Sequence, residues 1–335
     1  MPPTDSLTAM EADAMPDRGL RSSGMRDLGP AEMARFRHIE RTFLEAAAAG
    51  GYREIRTPTI EPLHLFTAAG TLSPQALDRV YSFLDWDGWS GERVVLRPDA
   101  TVAVARWYGE QSAGTEQRVA YVQPVYRFAP EGDREVWQCG VELFGAAAAT
   151  ADAELLLLAH DTLSALGIEQ VTCDLAHAGL VRAAFAAAGL SATEQLDAYD
   201  RMLDGDAGVT ADLVATHPRG AAGLRLLSEV DGTTVGYVAN LRAAMLPVVP
   251  GAAGALDELA SAAGALEAAG VPFHVRAGTA RSFEYYSGLT FSFSAAGREC
   301  VSGGRYDGLA ETIGGLAAPG CGWAADILGL AGVLS

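Results

Sequence analysis

Arg281-Ser282-Phe283-Glu284-Tyr285-Tyr286-Ser287-Gly288-Leu289-Thr290-Phe291, followed by Ser302-Gly303-Gly304-Arg305-Tyr306-Asp307-Gly308-Leu309, is the pair of segments around which the chain is organised. The first is an aromatic, β-prone run that delivers an arginine and two tyrosines. The second has adjacent glycines, read here as a turn. Glycine permits positive φ and lets a backbone approach a ligand where a Cβ would obstruct it. Each segment alone is better read as a hairpin with an ordinary turn and core aromatics, so the rest of the chain has to decide.

Upstream, Ala31 to Gly50 predicts a helix, with Phe36, Ile39, Phe43 and Leu44 at helical spacing and Gly50-Gly51 as its stop. Tyr52 to Pro62 is extended, and Pro58 and Pro62 keep it out of a central strand position. Val80–Asp85 and Arg93–Asp99 flank the turn Asp87-Gly88-Trp89-Ser90-Gly91 as a β-hairpin. Its second strand ends in Leu96-Arg97-Pro98-Asp99-Ala100-Thr101, followed by a helix through Arg106. There Asp99 is either a helix cap or a ligand-binding acid. Arg118–Arg127 and Glu135–Gly145 are strands joined by a short loop. Gln138 and Glu142 share one face of the second, and burial of both demands a partner such as an ammonium or imidazolium group unless that face is solvated. Thr150–Gly167 is helical and Gln170–Ala176 a strand. From His177 to about Gly270 the chain is alanine-rich and mostly helical, with Leu256, Leu259, Ala263 and Leu266 on one face.

Taken together, the opening segments, the Gln138/Glu142 strand and Leu-Arg-Pro-Asp-x-Thr resemble histidyl-tRNA synthetase and its non-synthetase relatives, over roughly residues 18–335. The resemblance implies an α+β fold of class II aminoacyl-tRNA synthetase type, a mostly antiparallel sheet flanked by helices. It divides the chain into a flexible leader (1–17), a first part of the core (18–176), a helical insertion (177–270) and a C-terminal part of the core (271–335). It also implies that Asp99 and Thr101 hold a bound α-amino group and that Gln138 and Glu142 contact histidine. Arg127, Tyr285, Tyr286, Gly303 and Gly304 complete the candidate histidine site. Arg281 falls where the synthetases keep an arginine acting on the carboxylate, and it either serves catalysis or only anchors an anion.

The departures from the synthetase pattern are informative. Phe-Arg-x-Glu of motif 2 becomes Tyr126-Arg127-Phe128-Ala129, which loses the glutamate that seats ATP, although Arg134 is kept. Motif 3, Gly-x-x-x-Gly-x-Glu-Arg-Leu, becomes Gly322-Trp-Ala-Ala-Asp326-Ile-Leu-Gly329-Leu330, with glycine where the ATP-stacking arginine belongs. No anticodon-reading domain follows before Ser335. This combination resembles the regulatory subunit of short-form ATP phosphoribosyltransferase. That family implies no catalytic residues, metal or cofactor of its own, histidine as ligand, and a hetero-oligomer with the short catalytic subunit. Self-association as a dimer is expected through residues 31–62. An ATP-dependent amino-acid-activating homologue and a stand-alone histidine sensor are the alternatives.

Bulk composition agrees. The 335 residues carry 24 Lys+Arg against 42 Asp+Glu, a net charge of -18 that gives no general attraction to nucleic acid, so tRNA is not an expected partner. Cys139, Cys173, Cys300 and Cys321 are scattered without zinc spacing and are expected to be buried or partly buried thiols in a reducing cytoplasm. Neither a signal peptide nor a membrane span is expected.

Overall fold

The structure, a computed structural model, describes residues 20–69, 80–86, 91–111, 114–129, 132–203, 206, 208–218, 220–228, 231–278 and 285–334. The expected leader, the hairpin turn at 87–90 and Arg281 lie outside them.

Helix α1 (Pro30–Ala49) opens with proline in its first turn, and Glu32 reaches back to the Gly29 amide at 2.9 Å. Phe36, Ile39, Phe43 and Ala47 form its buried stripe, and Gly51 ends it with φ +83°. The extended run that follows contributes β1 (Arg53–Glu54) to the edge of one sheet and β2 (Ile60–Pro62) to another. After α2 (Leu63–Ala68), strands β3 (Ser82–Trp86) and β4 (Gly91–Leu96) form the expected hairpin. The small sheet is ordered β2-β4-β3, which leaves the proline-bearing β2 at an edge.

Next come α3 (Ala100–Gln111), β5 (Gln117–Tyr126), β6 (Glu135–Phe144), α4 (Ala148–Ala165) and β7 (Val171–His177). Residues 178–268 hold α5 (Ala178–Ala188), α6 (Ala192–Leu203), α7 (Val209–Thr216), α8 (Ala221–Ser228), the two-residue β8 (Asp231–Gly232), α9 (Val235–Met245) and α10 (Ala253–Ala268). The chain then re-enters the sheet through β9 (Phe273–Arg276), β10 (Leu289–Ala295), β11 (Arg298–Arg305), α11 (Leu309–Thr312), β12 (Gly320–Asp326) and α12 (Ile327–Val333).

The large sheet has nine strands in the order β1-β5-β6-β12-β11-β10-β7-β9-β8. Among the described residues only β1/β5 and β7/β9 pair in parallel, so it is mostly antiparallel, as expected for a class II synthetase core. Alternation along β6 shows why both faces are usable. Cys139, Val141 and Leu143 enter the core beneath α1, α4 and α10, whereas Phe144 joins α3 and Tyr306 on the opposite face, stacked on Tyr108 at 4.5 Å. The apolar residues of 178–268 belong to the first of these cores rather than to one of their own. All four cysteines are buried thiols, in keeping with the expectation for them. No described helix is long and apolar enough to cross a membrane.

One expectation is corrected. Gly303-Gly304 is not a turn but lies within β11, with φ outside the positive range. A Cβ on Gly303 would run into the Gly322 carbonyl and Trp323, and one on Gly304 into Leu289 and Tyr286. The glycines admit neighbouring strands and the Tyr286 ring, not a reversal of the chain.

Two buried arginines tie the layers together. Arg97, 1% exposed, donates to the carbonyls of Thr57, Pro58 and Pro124 at 2.7–2.8 Å and so fastens the proline-bearing arm to β5. Arg305, equally buried, spans from β11 to Asp152 of α4 at 2.7 Å and to Asp307 at 2.8 Å. Replacing Arg305 by methionine leaves Asp152 buried without its partner. Urea unfolding of that variant is expected to show a loss of about 3–5 kcal/mol.

Candidate functional site

Asp99 sits at the first turn of α3, where its Oδ1 accepts from the Val102 amide at 3.0 Å. The helix-capping role therefore holds, and the same carboxylate lines a cleft. Its Oδ2 lies 3.5 Å from the Tyr285 hydroxyl and 3.9 Å from Arg127 Nη2. Burial pushes the Asp99 carboxyl above its ordinary value, while Arg127 and the helix amides pull it down.

Glu142, on the mid-sheet strand β6, is 1% exposed. Its Oε1 accepts from Thr101 Oγ1 at 2.8 Å and from the Tyr121 hydroxyl at 3.2 Å, and the Tyr306 hydroxyl donates to Oε2. Desolvation raises its carboxyl to about 8, and Asp99 nearby pushes it the same way. Among the described residues Glu142 forms no ion pair, so its satisfaction comes from hydroxyls, and a positive charge is what the cluster lacks. Burial holds Tyr121, Tyr285 and Tyr306 well above the ordinary tyrosine value, which keeps all three as donors.

In front of this cluster is a cleft of about 240 Å³, lined by Asp99, Thr101, Arg127, Gln138, Tyr285 and Tyr306 among others. Gln138 points along the same face as Glu142 and makes no side-chain hydrogen bond among the described residues. Tyr285 and Tyr286 form the wall, with centroids 5.1 Å apart, and Tyr285 meets Tyr306 edge-on at 5.7 Å. Two buried acids, several hydroxyls, an aromatic wall and one nearby arginine suit a small cationic or zwitterionic molecule. Of the ten residues expected here, Asp99, Thr101, Arg127, Gln138, Tyr285 and Tyr286 line the cleft directly. Glu142 lies behind Thr101, Gly303 and Gly304 act through packing, and Arg281 lies outside the described residues.

Sequence reasoning missed Tyr121, Tyr306 and Gly322. A Cβ on Gly322 would fall on Glu142 Oε2, and one on Gly140 would displace the Tyr121 hydroxyl. The available signal was register: Tyr121 pairs with Gly140, and Gly322 with Glu142. A large polar side chain opposite a glycine fills the space that the glycine leaves.

The cleft continues past Glu299 and Asp326 into a second recess lined also by Arg26, Asp133, Arg298, Leu328 and Gly329. Asp326 caps α12 through the Leu328 amide at 2.9 Å. Arg134 is spent on structure: Nε donates to the Ala129 carbonyl at 2.8 Å, and the guanidinium lies over Phe128 at 4.1 Å. Among the described residues no cluster of His, Cys, Asp and Glu could hold a metal.

Residues 24–330 match the family described as Histidyl-tRNA synthetase. A Dehalococcoides mccartyi protein named ATP phosphoribosyltransferase regulatory subunit is 42% identical over 312 residues, covering 91% of this chain and 74% of that one. A Bacillus halodurans structure described as an ATP phosphoribosyltransferase regulatory subunit/histidyl-tRNA synthetase superposes with TM-score 0.82 at 24% identity, covering 94% of this chain and 83% of that one. The Histidine--tRNA ligase subunit of Alicyclobacillus acidocaldarius gives TM-score 0.78 at 26% identity, over 96% of this chain and 98% of that one.

The Glu142 carboxyl titrates at about 8 in the fold against 4.5 as its ordinary value, so the folded protein holds an extra proton between those two pH values. That contribution to stability is complete below the lower value and is lost as pH rises toward the upper, at about 1.4 kcal/mol per pH unit. Urea midpoints measured from pH 5 to pH 9 are expected to show this decline in the wild type. Glu142→Gln, which cannot ionise, is expected to lack it.

Proposed function

Because this chain belongs to the ATP phosphoribosyltransferase regulatory subunits of the histidyl-tRNA synthetase family, we propose that it serves the first step of histidine biosynthesis. In this role it is a non-catalytic partner of the short catalytic subunit and carries histidine as a feedback inhibitor in the Asp99–Glu142 cleft. One observation carries the reading. The amino-acid half of the cleft is built, with Asp99, Thr101, Gln138, Tyr285 and Tyr286 around it, while the positions matching the synthetases' motif-2 glutamate and motif-3 arginine hold Ala129 and Gly329, and Asp326 stands at a motif-3 glycine. Neither alanine nor glycine offers charge or a stacking plane to a triphosphate, and Asp326 adds negative charge where phosphate would need the reverse.

Histidine suits the built half. Its ammonium group takes the charge position beside Asp99 and the Thr101 hydroxyl, and its imidazole faces the Glu142 cluster through the tyrosines. Between the ordinary imidazole value and the raised Glu142 value, free histidine is neutral at its ring and Glu142 holds a proton, so pairing them as imidazolium and carboxylate moves that proton within the site, and affinity is nearly independent of pH in that window. Inhibition follows if the complex binds histidine more tightly in its inactive state, since a ligand shifts an equilibrium only by its differential affinity. The extended arm fastened by Arg97, together with α1, provides the surface for self-association as a dimer.

The test is to add the purified protein to the short catalytic subunit from the same source and follow phosphoribosyl-ATP formation with and without histidine. The rate is expected to depend on this protein and to fall with histidine. Asp99→Asn is expected to keep the activation while weakening histidine inhibition about 30-fold or more, the scale of losing one partner of a buried charge contact. Activity indifferent to the protein, with no complex formed, overturns the reading. ATP–pyrophosphate exchange by the chain alone would instead assign amino-acid activation.

A further inference from the structure

The tyrosine wall of the cleft is carried by a short irregular segment between residue 285 and the start of β10, and this segment is gripped from two sides. On the sheet side the Ser287 amide donates to the Arg305 carbonyl at 2.7 Å, and the Asp307 amide donates to Ser287 Oγ at 2.9 Å. Gly288 passes so close to Arg305 that a Cβ there would lie 2.8 Å from its Cδ. On the other side stands α5. Its Ala178 amide donates to the Gly288 carbonyl at 3.0 Å, and Arg182 spreads its guanidinium over two successive carbonyls, Nη1 to Tyr286 at 3.1 Å and Nη2 to Ser287 at 2.5 Å.

Helix α5 is a firm support for that arm. His177 Nδ1 accepts from the Gly179 amide at 3.0 Å at its start, and His177 Nε2 meets Glu258 of α10 at 2.9 Å. Leu180, Val181, Ala184 and Phe185 bury the opposite face in the main core.

We propose that Arg182 is a positioning residue for the ligand cleft. It touches no ligand itself, and by fixing the Tyr286 and Ser287 carbonyls it holds the Tyr286 ring against Gly304 and the Tyr285 hydroxyl toward Asp99. The proposal rests on the reading of that cleft as the histidine site. A planar fork satisfies two carbonyls at once, which a lysine ammonium on a flexible stem cannot reproduce in the same geometry. With the fork removed, both carbonyls turn to water while the contacts of Ser287 and Gly288 to Arg305, Asp307 and Ala178 remain, so the tyrosines sample orientations that do not face Asp99.

Calorimetric titration of histidine into the full chain tests this with wild type, Arg182→Ala, Arg182→Lys, Tyr285→Phe and the Arg182→Ala/Tyr285→Phe double variant. Arg182→Ala is expected to weaken binding about tenfold, and Arg182→Lys to recover part of that loss. In the Arg182→Ala background Tyr285→Phe is expected to cost less than it does alone, because the hydroxyl is already misplaced. A general loss of structure would not produce that non-additivity, and the urea midpoint of the unliganded Arg182→Ala protein is expected to stay at the wild-type value. Wild-type affinity in Arg182→Ala, or effects that simply multiply in the double variant, overturns the proposal. If the wild type takes up no histidine, the site reading itself fails. Amide exchange at Ser287 and Gly288 in the unliganded proteins then decides for Arg182: faster exchange in Arg182→Ala supports the clamp, and unchanged exchange overturns it.

Discussion

A carboxylate removed from water in the middle of a sheet is the constraint to which much of this architecture answers. Glu142 is buried on β6, and an acid in that position has to be neutralised, hydrogen-bonded or matched by a cation. Three hydroxyls from three different elements, Thr101 of α3, Tyr121 of β5 and Tyr306 after β11, converge on it. Two glycines, Gly140 and Gly322, vacate the volume that the cluster fills. The hydroxyls satisfy the oxygens without supplying charge, so the proton stays on near neutral pH until a positive group arrives.

The cleft is uneven in chemical character along its length. At the Tyr285 end it is aromatic and hydroxyl-rich, with acids held in fixed positions by α3 and β6. At the α12 end, Asp133, Glu299 and Asp326 alternate with Arg26 and Arg298, and Arg26 is already engaged by Glu32 and Asp133. Mixed charges that neutralise one another leave little net field for a polyanion, whereas the first half is pre-set in geometry.

How far the sequence alone reached depended on the range of the interaction. Helix α1, the β3/β4 hairpin and the β5–β6 pair were legible because hydrophobic period, glycine stops and turn residues are local signals. Asp99, Thr101, Gln138 and the two tyrosines were legible as motif residues, and the structure does bring them to one cleft. Gly303-Gly304 misled because a glycine pair has two uses, reversal of the chain and close approach of neighbours, and only the partner strand distinguishes them. Tyr121, Tyr306, Gly322 and Arg182 were illegible for a related reason. Their meaning lies in contacts across 21 positions for Tyr121 with Glu142, 164 for Tyr306 with Glu142, and 104 for Arg182 with Tyr286. No periodicity records pairings of that kind.

The order of the strands has a consequence for how the protein comes into being. Strand β12 (Gly320–Asp326) lies between β6 (Glu135–Phe144) and β11 (Arg298–Arg305), so the centre of the large sheet is filled by the last of its described strands to leave the ribosome. Until then β5–β6 and β10–β11 are separate hairpins with open inner edges, joined through a long stretch of helices, and Glu142 faces a gap where Gly322 will stand. Closure of the sheet, burial of the acid and completion of the cleft are therefore one late event in biosynthesis. From Phe144 until Gly320 is made, the nascent chain carries the unpaired inner edge of β6, joined by that of β11 only after Arg305, and an open strand edge of this kind is where a growing polypeptide depends on chaperones.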